Sequence, residues 1–346
     1  MPKNDKLKPS QAQPIGQNIE IVEPEQSIFP IIRQGTATNA LTKTSSKRAS
    51  IDKITGTATI TQGDFVLTIP NFEELTGGLR TSALQLLDAL TIVLTESGAK
   101  SPNVALPLDK YIKQRGLSDR KATRKQSVED LDILYNVSIS YKEKRGKKEH
   151  DFFDIRICDA KGIKNGIIHF SFGRAFYNIL LGYPIMPYPP QLLKINANKN
   201  PESFRLLRKI GEHKNMNVGK KNEDIIAVKT LLSKSNFPTY EEVMSSDRHL
   251  NKRIIEPFER DMNALRDTFD WEYCHSNNTP LTDEELFDFS YSTFEGLLIK
   301  VYWHTYPDPT ARLEAKAQRD EISKKKKRTP SNPSNNFKKT SEESTE

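Results

Sequence analysis

Four prolines within seven residues, Pro184, Pro187, Pro189 and Pro190, constrain this chain more than any other feature. Proline fixes its own φ, donates no N–H and biases the residue before it away from helix, so no regular helix or central strand runs through such a stretch. The stretch divides the chain. At ~150 residues per domain, 346 residues allow about one domain on each side plus tails.

The two sides carry the same order of elements. Upstream, Leu84, Leu87, Leu90 (or Thr91) and Leu94 recur at helical steps and predict a helix over 81–96, ended by Ser97-Gly98. A short helix within 106–116 breaks at Gly116, and Ser118 or Asp119 caps a longer one over about 119–135. Strand-like runs follow at 137–141, 152–158 and 166–172, with a helix-like run at 173–181. Downstream, Asn200-Pro201 opens a helix with Phe204, Leu207 and Ile210 on one face. Helices are expected at 223–233 and 240–244. Asp247 caps a long one reaching about residue 266, with Leu250, Ile254, Phe258, Met262 and Leu265 facing inward. Runs at 268–273 and 296–304 read as a closing hairpin around a long acidic insert.

Helices followed by a hairpin make the order of a winged helix. The expected fold class is α+β, with two winged-helix (helix-turn-helix plus β-hairpin wing) domains in tandem and disordered N- and C-terminal tails. The expected divisions are a disordered arm at 1–50, a β-hairpin at 51–78, the first winged helix at 79–183, a Pro-rich linker at 184–199, the second winged helix at 200–310 and a basic, mostly disordered tail at 311–346.

Charge sharpens the reading. The net charge is only +7, but residues 107–150 carry 12 basic side chains against 7 acidic, and residues 194–234 carry 10 against 4. Residues 235–310 reverse the sign, with 6 against 15. Such asymmetry is expected of a surface that meets a polyanion.

Within the basic region, Arg120, Lys121, Arg124 and Lys125 occupy adjoining faces at the amino end of the 119–135 helix, while Val128, Leu131 and Leu134 are expected to anchor its later turns. Basic side chains in a first turn oppose the helix dipole, which favours acids there. A helix that accepts this cost is expected to have an anionic partner. There Arg reads guanine and Lys neutralises phosphate. The turn at 142–150 supplies Lys142, Lys144, Arg145, Lys147 and Lys148 as a basic wing tip. In the second unit the long helix exposes Arg248, Asn251 and Lys252, with His249 and Arg253 on a neighbouring face, and Pro257 is expected to kink or weaken it near Arg253.

Catalytic chemistry finds no foothold. Six His are scattered without a His-x-His pair. Gly219-Lys220-Lys221 lacks the hydroxyl residue, the upstream Gly and the preceding strand of a phosphate loop. Cys158 and Cys274 make neither a zinc site nor a disulfide framework. Asp283, Glu284, Glu285 and Asp288 form a carboxylate group that reads as a helix start after Thr282 rather than a metal site. No cofactor, metal or catalytic residue is expected. No apolar run approaches a membrane span or a signal peptide, so no membrane partner is expected and a cytoplasmic protein is the default.

The string Leu250-Asn-Lys-Arg-Ile-Ile-Glu-Pro-Phe-Glu-Arg-Asp-Met-Asn, followed by an Asp-containing turn and the strand Gly296-Leu-Leu-Ile-Lys-Val-Tyr, resembles the second winged helix of the plasmid replication initiator (Rep) family. Pro257 and Asn263 match characteristic positions, and Arg248, Lys252 and Arg253 fall in the DNA-facing stretch. Residues 79–181 resemble the family's first winged helix in layout only. The resemblance implies tandem winged helices that bind directly repeated origin sites (iterons) in double-stranded DNA, host replisome proteins as partners, a homodimer that interconverts with a DNA-binding monomer, and a bacterial cytoplasm. The acidic residues of 268–295 depart from the pattern and are expected to face away from DNA or toward another protein. The N-terminal 78 residues have no counterpart in the family's minimal form. A tandem winged-helix regulator or partition protein, or an adaptor using the acidic segment, stays open as an alternative.

Overall fold

The computed structural model describes residues 29–42, 50–52, 54–62, 65–69, 79–145, 148–246, 249–282, 284–285 and 290–307. The chain is α+β. Its first described elements, β1 (Ile31–Arg33) and α1 (Thr36–Thr42), fall in the stretch expected to be a disordered arm. Residues 29–42 correct that expectation. Ile32, Ala37 and Leu41 are buried, and β1 pairs antiparallel with β10 (Ile185–Pro187), setting Ile32 opposite Met186. A short apolar island suffices for a strand here because its partner lies on another part of the chain.

Strands β2 (Ser50–Asp52), β3 (Thr57–Gln62) and β4 (Phe65–Ile69) form the expected hairpin, but it does not stand apart. β4 pairs with β6 (Ser138–Arg145), and β6 with β7 (Lys148–Arg156), giving one five-stranded antiparallel sheet in the order β2-β3-β4-β6-β7.

In the first half, α2 (Thr81–Glu96) is buried on nearly every side. Its polar residues are satisfied inside the core: Thr91 and Thr95 donate to carbonyls four residues back at 2.8 and 2.7 Å, and the Gln85 amide donates to the carbonyls of Leu192 and Ile195 at 2.8 and 3.0 Å. Next come β5 (Asn103–Pro107), α3 (Leu108–Arg115), which ends at left-handed Gly116, and α4 (Arg120–Asn136). Asp119 caps α4, its carboxylate accepting from the Ala122 N–H at 2.8 Å. After the β6–β7 excursion, β8 (Cys158–Lys164) and β9 (Ile167–Phe172) are joined by Asn165-Gly166, both at positive φ (52° and 74°). That two-residue turn matches the twist of its strands.

β9 lies between β5 and β8 in a three-stranded sheet, and α4 packs along β8. The hairpin beside α4 is therefore β8–β9. The described parts of the wing expected at 142–150, Lys142–Arg145 and Lys148–His150, are instead the far ends of β6 and β7, whose neck is the cross-strand pair Ser138–Arg156. Gly173, just before α5 (Arg174–Leu181), clamps the neck: its N–H donates to the Ile157 carbonyl at 2.9 Å, and a Cβ there would lie 2.1 Å from the Arg156 carbonyl oxygen.

The expected linker at 184–199 is part of the core. Tyr188, Leu192, Leu193 and Ile195 are buried in a stretch holding β10 and α6 (Gln191–Lys194). The prolines do stop long elements, but among the described residues β10 pairs only with β1, where a missing donor is tolerated. Across this junction Asp88 of α2 pairs with Arg208 of α7 (Ser203–Met216), and the Tyr188 hydroxyl donates to the same carboxylate at 2.9 Å. One apolar cluster runs through both halves.

The second half repeats the arrangement. After α7 come β11 (Ile225–Ala227) and α8 (Val228–Lys234), where a single helix over 223–233 was expected, then α9 (Tyr240–Ser246). The long helix enters as a π-helical turn, Asn251–Ile255, and continues as α10 (Glu256–Asn263). β12 (Phe269–Cys274) and β13 (Leu298–Trp303) flank an insert containing α11 (Tyr291–Gly296). The sheet order β11-β13-β12 matches β5-β9-β8 position for position. Among the described residues no helix is long and apolar enough to cross a membrane.

Candidate nucleic-acid interface

α4 is held by an unusually polar inner face. Thr123, Ser127, Asp130 and Leu131 point inward, and the Asp130 carboxylate accepts from Ser82 Oγ at 2.8 Å, Arg80 Nε at 3.1 Å and Gln126 Nε2 at 3.1 Å. Burial raises the Asp130 pKa above the ordinary aspartate value, partly offset by Ser82, Arg80 and Gln126. With those residues inside, Lys121, Arg124, Lys125 and Val128 face solvent. Val128 was expected among the anchors, but it is 40% exposed, one turn beyond Arg124 on the basic face.

The four basic residues at the amino end of α4 are not equivalent. Arg120 is exposed but engaged, its Nε donating to Asp109 Oδ1 of α3 at 2.7 Å. Lys121, Arg124 and Lys125 have no ion-pair partner among the described residues. The Asp119 cap and the Arg120–Asp109 pair relieve the clash between this cationic turn and the helix dipole, leaving three cations free to act outward.

Beside that turn lies the β8–β9 hairpin. Arg120 reaches its turn, since a Cβ on Gly166 would stand 3.0 Å from the guanidinium. β8 carries Lys161, which pairs with Asp132 and lies over the Tyr135 ring of α4 at 5.6 Å, and Lys164, which is exposed beside the turn. Sequence reasoning missed both lysines. The Asn165-Gly166 dipeptide was the available signal, because it is the strongest short hairpin cue. The backbone of Lys144, Arg145 and Lys148 lies at the far end of β6 and β7, and Lys147 lies outside the described residues.

In the second half, Asn251, Lys252 and Arg253 are exposed on the π-helical turn, and His249 is exposed just before it. Arg248 and Asp247 lie outside the described residues. Pro257 lies just beyond the π turn. Pro257 has no N–H to offer the carbonyl four residues back, and the Glu256 N–H instead reaches the Asn251 carbonyl, five residues back. The wider turn buries Ile254 and Ile255 together and so fixes the direction in which residues 251–253 emerge.

The insert between β12 and β13 is tied down locally. Glu285 accepts from the Thr282 N–H at 2.9 Å, Thr282 Oγ1 accepts from the Glu285 N–H at 3.3 Å, and His275 pairs with Glu285 at 3.2 Å. This reciprocal pairing is a capping box, the helix-start chemistry expected from the sequence. The Phe294 side chain of α11 is buried. Among the described residues no group of three or more His, Cys, Asp or Glu is placed to hold a metal ion, and Asp283 and Asp288 lie outside them.

Neither a family model nor a curated protein matches the chain. Among solved structures it is similar to a selenomethionine crystal structure of domains 2 and 3 of RctB, at 10% identity and a TM-score of 0.44, over 78% of this chain and 99% of that one. It is also similar to a second crystal structure of RctB domains 2–3, residues 155–483, at 12% identity and a TM-score of 0.41, over 76% of this chain and 93% of that one.

Proposed function

We propose that the chain is a sequence-specific double-stranded DNA-binding protein that initiates replication of a plasmid or mobile element. Each half is read as a winged helix, with α4 and the π turn leading into α10 as recognition elements. The observation that carries this reading is the placement of exposed basic residues at the amino end of the corresponding helix in both halves, each half having a three-stranded sheet of the same strand order. Lys121, Arg124 and Lys125 suit guanine edges and phosphates, and Asn251 with Arg253 suits bidentate base contacts. Lys161 and Lys164 put positive charge on the hairpin beside α4.

On this reading both halves engage origin repeats. Binding energy rather than catalysis helps open the duplex, and host replication proteins and a second copy of the chain are the further partners. The experiment is footprinting of the whole protein on the DNA flanking its gene, followed by gel-shift titration. Protection of direct repeats is expected, with Arg120→Ala/Arg124→Ala and Arg248→Ala/Arg253→Ala each weakening site-specific binding by on the order of 2–4 kcal/mol. Unchanged affinity in both double variants would falsify the placement of the recognition helices. Protection of a promoter without repeats favours the regulator reading.

A further inference from the structure

The outer face of α4 presents Lys121, Arg124, Lys125 and Val128, all exposed, at i, i+3, i+4 and i+7. That spacing sets side chains in one stripe, and in most helices such a stripe is apolar and turned to the core. Here the core lies opposite, against Thr123, Ser127, Asp130 and Leu131, and the stripe faces solvent. Val128 stands one turn beyond both Arg124 and Lys125, the shared neighbour of two cations, and it is 40% exposed.

The carboxylates of α4 do not neutralise the stripe. Glu129 pairs with Arg80 at 3.0 Å, Asp132 pairs with Lys161 of β8, and Asp130 is buried. Beyond Asp132 the Tyr135 ring lies under the Lys161 ammonium at 5.6 Å. Val128 is therefore the uncharged end of a cationic stripe, closed off toward the carboxyl end by an ion pair. A single exposed apolar side chain is ordinary on a protein surface. A β-branched one in an exposed helix is a weaker helix former than alanine, glutamine or lysine would be, so local stability does not account for its place.

A major groove offers one apolar feature on its base edges, the C5 methyl of thymine, and apolar side chains are its match. Residues at i and i+4 have Cβ atoms ~5–6 Å apart, and successive base pairs rise ~3.4 Å. Contacts made by Arg124 and Val128 thus fall about one to two base pairs apart.

We propose that Val128 is a specificity-determining residue that packs on a thymine methyl group in the major groove, about one to two base pairs from the guanine contacted by Arg124. Because this contact presupposes DNA binding through α4, it rests on the function proposed above. To that function it adds part of the site's base composition.

The test is selection of binding sites by the full chain from a duplex library with a randomised core, repeated with Val128→Ala and Arg124→Ala. Wild type is expected to enrich a guanine with a thymine within about two base pairs. Val128→Ala, which removes both γ-methyl groups, keeps the guanine preference and loses the thymine preference, whereas Arg124→Ala loses the guanine. Deoxyuridine in place of that thymine then deletes only the methyl group. It should weaken the Kd of wild type about fourfold and leave that of Val128→Ala unchanged. Alanine is the better helix former, so the Tm of Val128→Ala is expected to hold or rise. Failure of wild type to enrich any sequence overturns the DNA-binding function and this contact with it. An enriched sequence whose preferences Val128→Ala leaves intact overturns the Val128 contact alone, as does a wild-type Kd that is insensitive to deoxyuridine.

Discussion

Replacing Arg208 with methionine removes one partner of the ion pair that joins the two halves. The pair lies in the core, with side-chain exposures of 5% for Arg208 and 6% for Asp88. Arg208→Met leaves the Asp88 carboxylate with a single described donor, the Tyr188 hydroxyl at 2.9 Å. Stranding a buried charge in this way costs about 3–5 kcal/mol, whereas exchanging the whole pair for apolar side chains of similar size is often near neutral. Urea unfolding, followed by the fluorescence of Trp271 and Trp303, measures both cases. Arg208→Met is expected to lose about 3–5 kcal/mol, and Asp88→Leu a similar amount. The double variant should lose clearly less than their sum, with a coupling energy of about 2 kcal/mol or more. Adding Tyr188→Phe removes the hydroxyl left unpartnered in the double variant and recovers about 1 kcal/mol. A double variant whose loss equals the sum of the singles would refute the buried-pair argument, as would an Arg208→Met loss below about 1 kcal/mol.

Asp130 makes a pH prediction. Its folded-state pKa is raised by burial, so the folded chain holds this proton more tightly than the unfolded chain. Its contribution is full below the ordinary aspartate value and is lost as pH rises through the folded pKa. The Tm of Asp130→Asn relative to wild type should therefore climb with pH across that window, and a flat difference would contradict it. Pro257→Ala restores an N–H and lets the π turn relax to α-helix, re-aiming Asn251–Arg253 by about one residue's rotation, ~100°. Site-specific DNA affinity should fall in a gel shift without a fall in Tm, and an unchanged affinity would show that the π turn does not aim these residues. Ile32→Ala should cost about 2–4 kcal/mol in urea because the residue is buried, whereas an effect near zero would return residues 29–42 to the status of a loose arm.

Much of this arrangement was legible from periodicity. The leucine ladder of α2, the Gly116 stop, the Asp119 cap and the inward row Ile254, Phe258, Met262 and Leu265 all stand where their spacing put them. Strands β8 and β11, one in each three-stranded sheet, were not legible. β11 is three residues long and runs directly into α8, so its alternation is too short to separate from a helical pattern. β8, Cys-Asp-Ala-Lys-Gly-Ile-Lys, is mostly polar with a central glycine, and without it the hairpin was assigned to the more obvious runs upstream, 137–141 and 152–158. Val128 misled for a different reason. An apolar residue at a helical step is assumed to face the core, but here Ser127 and Asp130 take the inward positions because Arg80 and Ser82 of the neighbouring helix satisfy Asp130 there. The proline cluster marked a true boundary between elements but not a flexible one, because its apolar neighbours Tyr188, Leu192 and Leu193 pack into both halves.

The neck at Ser138–Arg156 has a mechanical consequence. The five-stranded sheet joins the first half through the β6–β7 pair, whose β6 strand continues directly from the carboxyl end of α4, and it is also packed against α1 through β4 and against α5 through β7. Gly173 presses against the Arg156 carbonyl with no room for a side chain, so the attachment is a fixed joint rather than a hinge. A load applied to the outer edge of the sheet is therefore shared between α1, α5 and the base of α4, the helix whose opposite end carries Lys121, Arg124 and Lys125.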